Sequence, residues 1–224
     1  MDQNNQRIKR IANAASILFL EQGYARTQIS HIAMAAGISV GSIYLDFAGK
    51  KEIMHFSIKC SLEPGFADRQ FKRPITDDLF TGLQEEVLDV FISGAEEFER
   101  HLGNTGSYGF ETLLSDLFDQ MARYAQVGLF VKRNREEFPI LSQNYDAQRR
   151  RTLSALTSYI TRYISLGTVR RVEDPALTAL FVLQTLAWWS MDMHVISYHR
   201  DEISLETAKK VCMDNLLFAY MRHR

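Results

Sequence analysis

Turn-forming residues are scarce in this sequence. Its 224 residues include 12 glycines and 4 prolines, about 7% together where roughly 12% is average. An all-β chain needs turn signals about every 8 to 12 residues, and this one cannot supply them. Pro64, Pro74, Pro139 and Pro175 leave stretches of 63, 64 and 49 residues without a proline. Because an internal proline breaks a helix, proline here punctuates long helices. An all-α chain is the expectation.

Cysteine is scarcer still. Cys60 and Cys212 stand alone, with no Cys-x-x-Cys pair and no histidine at ligand spacing. Neither a disulfide framework nor a zinc site is signalled, and two reduced, mostly buried thiols are expected. A long uninterrupted apolar run is also missing. The most apolar stretch, residues 176–196, carries Thr178, Gln184, Thr185, Ser190 and Asp192, which a membrane span would not readily hold. Residues 1–13 have no apolar segment of signal-peptide length, so a cytoplasmic protein is expected.

Charge of one sign is lacking in the whole chain, with 26 Lys and Arg against 27 Asp and Glu. Taken whole, that balance gives no sign of a nucleic-acid partner. Division at Cys60 changes the picture: the first part holds 7 basic against 4 acidic residues, the remainder 19 against 23. A modestly basic head precedes an acidic body. What the chain does have is apolar mass, 46% hydrophobic residues with 14 Phe, 9 Tyr and 2 Trp. Disorder is excluded and a sizeable core is affordable at this length.

Apolar spacing of three and four supplies the elements. Ile8, Ile11, Ala12, Ala15, Leu18 and Phe19 form one stripe on a helix that ends before Gly23. Thr27 is placed to cap a second helix with Ile29, Ile32, Ala33 and Ala36 inward, stopped by Gly37. Ser39 is placed to cap a third, very short helix to about Leu45, and a fourth begins near Gly49 with Phe47, Ile53, Phe56 and Ile58 as its apolar residues. Pro64-Gly65 and Arg73-Pro74 flank a polar stretch, which divides the chain into residues 1–62 and 63–224.

Beyond it the helices lengthen. Leu79, Leu83, Val87, Val90, Phe91, Phe98 and Leu102 hold one period to the Gly-rich segment 103–106. Further helices are expected near 108–118, 121–137, 142–166, 175–197 and 204–222, about nine to ten in all. Glycines 103, 106 and 109 lack the G-x-G-x-x-G spacing and follow a helix, so a helix break or flexible gate loop is the expectation over a phosphate loop.

Three short helices in the first 50 residues, with Ala36-Gly37-Ile38-Ser39 between the second and third, are the pattern of a helix-turn-helix. The run Ala14-Ala15-x-x-Leu18-Phe19-x-x-x-Gly23-Tyr24-x-x-Thr27, then Ile32-Ala33-x-x-Ala36-Gly37-Ile38-Ser39-x-Gly41-Ser42-Ile43-Tyr44-x-x-Phe47-x-x-Lys50, closely resembles the DNA-binding domain of the TetR family of transcriptional regulators. The resemblance implies an all-helical homodimer: an N-terminal domain on operator DNA, and a larger C-terminal bundle holding a small-molecule inducer and the dimer interface. No cofactor and no metal are implied. It places the recognition helix at residues 39–45, with Ser39, Val40, Gly41 and Ser42 toward bases or phosphates. Tyr44 and Lys50 match the family's phosphate-contacting tyrosine and helix-four lysine, and Thr27 and Gln28 would meet the DNA backbone. Lys50 and Lys51 also lie in a first helical turn, where the dipole disfavours cations unless an anion is near.

Two positions depart from the family pattern. Asp46 stands where His, Tyr or Arg is more usual, and it could pair with Lys50 or Arg26 or weaken backbone contact. Ala48-Gly49-Lys50-Lys51 replaces a Pro-Ser-Lys-Glu-like run. The recognition helix has neither Arg nor Asn, so hydroxyl, methyl and water-mediated contacts would carry specificity.

In the second part the resemblance is architectural. Residues 142–166 and 175–197 are where the family usually builds its dimeric four-helix bundle, and Leu153, Leu156, Ile160 and Tyr163 recur at the spacing that suits helix packing. Phe91, Phe98, Tyr108, Phe110, Tyr124, Phe130, Trp188 and Trp189 are candidates to line an apolar inducer pocket, although aromatics at helical spacing are more often plain core. Adjacent tryptophans on a helix point about 100° apart, so one of Trp188 and Trp189 is expected to meet a partner subunit. His194 and His199 do not share a helix face, which tells against a metal site. An enzyme or a pure protein-interaction module is the rival reading. No nucleophile motif or H-E-x-x-H supports the first, and the residue 27–50 pattern tells against both.

Overall fold

The computed structural model describes residues 3–102, 108–197, 199 and 201–222. The Gly-rich segment 103–106 singled out above lies outside the described residues. All regular elements among those described are helical, in the order α1 Gln3–Glu21, α2 Ile29–Ala36, α3 Val40–Asp46, α4 Lys50–Leu62, α5 Leu83–Arg100, α6 Phe110–Arg123, α7 Ala125–Arg133, α8 Pro139–Ser165, α9 Pro175–Ala187, α10 Met193–Val195 and α11 Leu205–Tyr220. The chain forms two compact units, Met1–Val87 with Gln126–Ser142, and Leu88–Ala125 with Gln143–Arg224.

The first unit is built on the stripe of α1. Ile8, Ile11, Ala12, Ala15 and Phe19 are buried on the side of α1 that meets α2 and α4, where Ile32, Ala33, Ile53 and Phe56 are buried too, and α3 packs on α2 with Ile43 buried. Phe56 gathers an aromatic cluster, with Phe47 and Phe66 rings each 5.3 Å away and Phe71 at 5.2 Å. Gly37 takes φ +65° at the end of α2, a left-handed conformation that a side chain would strain. α2 and α3 then meet at 98°, within the range of a helix-turn-helix.

Several boundaries differ from expectation, among them those of α6, which runs on to Arg123, and α7, which is confined to Ala125–Arg133, where helices near 108–118 and 121–137 were expected. The cap of α2 is Gln28, not Thr27: the Thr27 side chain is wholly buried and its hydroxyl donates to the Gly23 carbonyl at 2.8 Å. The long helix assigned from Leu79 is two pieces. A 3-10 turn, Asp77–Phe80, is separated from α5 by Gly82 at φ +84°, and Leu79 is exposed. Leu79 keeps the spacing of the stripe, but a left-handed residue cannot continue an α-helix.

In the second unit, α6, α8, α9 and α11 enclose a core that includes Leu114, Phe118, Leu156, Ile160, Val182, Leu183, Leu186 and Leu216. The Tyr159 hydroxyl donates to the Phe98 carbonyl at 2.7 Å and that of Tyr163 to the Tyr108 carbonyl. Burial pushes both phenols up to about 12. Asp174 caps α9 through the amides of Ala176 and Leu177, with Pro175 in the first turn, where its missing N–H costs nothing. The tryptophan pair falls in a π-helical turn, Trp188–Asp192, that continues α9. Both cysteines are free thiols, and burial pushes each up to about 11. No helix among the described residues is long and apolar enough to cross a membrane by itself.

Candidate nucleic-acid interface

The candidate surface is α3 with the turn that leads into it. Ser39 caps α3 by accepting from the Ser42 amide at 3.1 Å, and the two hydroxyls lie 2.9 Å apart. Ile43 is wholly buried and anchors the helix. Around it, Val40, Gly41, Tyr44 and Leu45 face solvent, with Tyr44 about half exposed at 51%. Ser39 is exposed and Ser42 half-buried. Gln28, also exposed, sits at the start of α2, where its amide donates to Nδ1 of His31 at 3.3 Å.

Of the residues named from sequence, Gln28, Ser39, Val40, Gly41, Ser42 and Tyr44 are thus on the accessible side of the motif. Thr27 and Lys50 are otherwise engaged. The Lys50 ammonium donates to the carbonyls of Tyr24 at 2.8 Å and Thr27 at 3.0 Å, and it lies 4.0 Å from the Tyr24 ring centroid. Lys51 pairs with Asp77 at 2.7 Å. The unfavourable cationic turn inferred from sequence is therefore answered by protein acceptors, and Lys50 ties the α1–α2 turn to the head of α4.

Asp46 resolves differently from either expected pairing. Its carboxylate is wholly buried and accepts from Arg7 Nε at 2.5 Å and Nη2 at 2.8 Å, and from Arg73 Nη1 at 3.2 Å. Sequence spacing gave no hint of either partner, 39 and 27 residues away. Met34 (79% exposed) and Leu45 (65%) were also missed as surface residues. The signal existed, since both fall outside the inward period of Ile32, Ala33, Ala36 and Ile43.

Residues 11–55 match the model of bacterial regulatory proteins of the tetR family. The N-terminal domain belongs to the tetR family. That is a family of transcriptional regulators and not of enzymes. Over 101 residues the chain is 33% identical to the HTH-type transcriptional repressor KstR2 of Mycobacterium tuberculosis, covering 44% of this chain and 48% of that one. It is 39% identical over 54 residues, 24% of this chain and 28% of the other, to the Fatty acid metabolism regulator protein of Bacillus subtilis. The matched segments thus span about half the length of these curated relatives or less. The solved structure of ketosteroid transcriptional regulator KstR2 of Mycobacterium tuberculosis aligns over 97% of this chain and 96% of that one, with TM-score 0.54 and 17% identity. The TetR fold therefore extends over the chain, while sequence identity to the relatives belongs to part of it.

Beyond the segment that matches the family, the eight candidate aromatics do not converge. Phe98, Tyr108 and Tyr124 line one cavity of about 240 Å³, together with Glu97, Asp116 and Gln120. There the Tyr108 hydroxyl donates to Asp116 at 2.8 Å, and burial together with that carboxylate raises the phenol well above its ordinary range. Phe91 packs on Tyr145 and Phe110 on Tyr163. Phe130 lies in the first unit, buried against Phe19. Trp189 packs on the core of the second unit, and Trp188 is 49% exposed.

α9 presents an exposed apolar line, with Leu177 64% and Phe181 58% exposed and Trp188 in line with them, and α11 exposes Leu205, Val211 and Phe218. The stripe of α8 faces its own unit instead: Leu156, Ile160 and Tyr163 are buried, and the outer positions Ser154, Ser158, Thr161 and Arg162 are polar. Among the described residues, no group of three or more His, Cys, Asp or Glu side chains is arranged to hold a metal ion.

Proposed function

We propose that the protein is a transcriptional repressor that binds operator DNA as a homodimer and is released by a small, largely apolar inducer. The observation that carries this reading is the exposed face of α3. Val40, Gly41 and Tyr44 stand in solvent on a seven-residue helix that Ser39 caps, buried Ile43 anchors, and Arg7 and Arg73 hold at its C-terminal Asp46. A helix so held meets a major groove without paying to become ordered. Tyr44 and Gln28 would donate to phosphates, which sets register. Ser39, Val40, Gly41 and Ser42 would meet base edges, through hydroxyls and through apolar contact with thymine methyls. Lys50 would act by holding the α1–α2 turn, and it reaches phosphate only by giving up Tyr24 and Thr27.

The second copy of the chain would dock on the stripe Leu177, Phe181 and Trp188, with α9 the centre of the interface and α8 contributing polar positions. A twofold axis through that stripe sets self-complementary apolar surfaces against each other, and half-sites should then recur about one DNA turn, roughly 34 Å, apart or a little more. Inducer would enter the second unit, its apolar part against Phe98, Tyr108 and Tyr124.

The test is electrophoretic retardation of the DNA upstream of its own gene over a range of salt. The reading expects a retarded dimer complex whose affinity falls steeply as salt rises. No retardation at low salt overturns it.

A further inference from the structure

We propose that Arg73, held by Asp46, is a DNA-phosphate contact at the C-terminal end of α3, supplied from outside the helix-turn-helix. The inference rests on the DNA-binding reading above. Asp46 is the last residue of α3, and the two-pronged bond from Arg7 already neutralises its buried carboxylate. Arg73 adds a second guanidinium through a single bond of 3.2 Å from Nη1. One carboxylate thus faces two guanidiniums, and Arg7 alone already gives it a two-pronged partner. Burial of Asp46 needs one counter-charge, not two.

The Arg73 guanidinium is reachable from solvent, with 34% of its side chain exposed. It is also fixed in place. Ile75 donates its amide to the Asp46 carbonyl at 2.7 Å, and Ala48 donates its own to the Ile75 carbonyl at 2.9 Å, so residues 73–75 are stitched to the chain that ends α3. Nη1 is the one donor nitrogen of Arg73 that Asp46 takes, out of five N–H groups in a planar fork suited to phosphate. An arginine oriented beforehand loses little freedom on meeting an anion. Position 73 lies beyond the segment 11–55 that matches the family model.

The experiment measures affinity against salt for the full-length wild type, Arg73→Gln and Arg73→Lys. The probes are a labelled duplex from upstream of its own gene and a mixed-sequence duplex, with thermal denaturation run alongside. Arg73→Gln is expected to weaken binding to both duplexes alike and to reduce the slope of log K against log salt by about 0.9 per half-site. Arg73→Lys keeps the charge and should restore the slope. An unchanged slope in Arg73→Gln with only a lower melting temperature overturns the inference and leaves a purely structural cluster, as does a failure of lysine to restore it. Should Arg73→Gln not fold, phenylglyoxal labelling of the wild type decides. Bound DNA should shield Arg73, and equal labelling with and without DNA overturns the proposal. Wild type that binds neither duplex at low salt overturns the DNA-binding reading itself, a result distinct from both.

Discussion

The two units bury polar groups in opposite ways. In the first, polar side chains inside the unit make the tertiary connections: Asp46 joins α1, α3 and the segment before α5, Lys50 joins α4 to the α1–α2 turn, and Asn134 accepts the Tyr24 amide at 2.7 Å. In the second, the interior polar atoms noted above are tyrosine hydroxyls on backbone carbonyls, set in a continuous apolar core. A small motif with a thin core cannot orient a seven-residue helix by apolar packing alone, and directional bonds do that work. A larger bundle holds its helices by volume, which leaves its inner surface less particular about residue identity.

This contrast can be broken at its strong end by emptying the second core. Phe118 is wholly buried, and Phe118→Ala should cost about 4 kcal/mol, read as a lower urea midpoint. A loss under about 1 kcal/mol would mean that the core closes over the gap and that volume does not hold this unit.

Asp46→Ala is the corresponding cut in the first unit. It removes the buried acceptor that two guanidiniums share, but each is partly exposed, 24% and 34%, so the expected loss is about 2 to 3 kcal/mol and not the full penalty of an enclosed pair. Near-neutrality would show that the first unit, too, is held by its apolar stripe.

These cuts also separate what could be read from the chain alone. Helix existence, the Gly37 turn, the Ser39 cap and the inward residues Ile32, Ala33 and Ile43 follow from local spacing, and the structure has them. The partners of Asp46 and Lys50 were not legible, because they lie 23 or more residues away in sequence and those of Lys50 are backbone carbonyls, which carry no residue signature. Nor was the return of residues 126–142 to the first unit, which puts Phe130 beside Phe19 and away from the other candidate aromatics. Aromatic spacing reports that a face is buried but not against which neighbour. Exposure of α9 was half legible: two adjacent tryptophans must diverge, and Trp188 and Trp189 do.

Tyr44→Ala sharpens the comparison by removing a residue with a surface role and little structural one. At 51% exposure its loss should change stability by no more than about 0.5 kcal/mol. DNA affinity should fall about tenfold at every sequence, as for one hydrogen bond to a charged group worth ~1.5 kcal/mol. Retardation assays with operator and mixed-sequence DNA read the effect, and a loss confined to the operator would reassign Tyr44 to base readout.

The smallest effect concerns pH and the exposed Lys51–Asp77 pair. The hydrogen bond from Lys51, helped by His55, holds the Asp77 carboxyl below its ordinary 3.8, and the same bond, accepted by Asp77, holds the Lys51 ammonium above its ordinary 10.5. A lowered acid stabilises the fold above its unfolded value and loses that contribution as pH falls through the folded one. A raised base stabilises below its unfolded value and loses its share as pH rises through the folded one. The contribution should therefore be flat across neutral pH, fading below about 3.8 and above about 10.5. Both side chains are more than a third exposed, 57% and 41%, so solvent screening keeps the total below about 1 kcal/mol. Asp77→Asn should remove both flanks from a stability–pH profile and lower the neutral plateau by that amount. A variant profile parallel to wild type at acid pH would show that the bond to Lys51 holds the segment before α5 by geometry and not by charge.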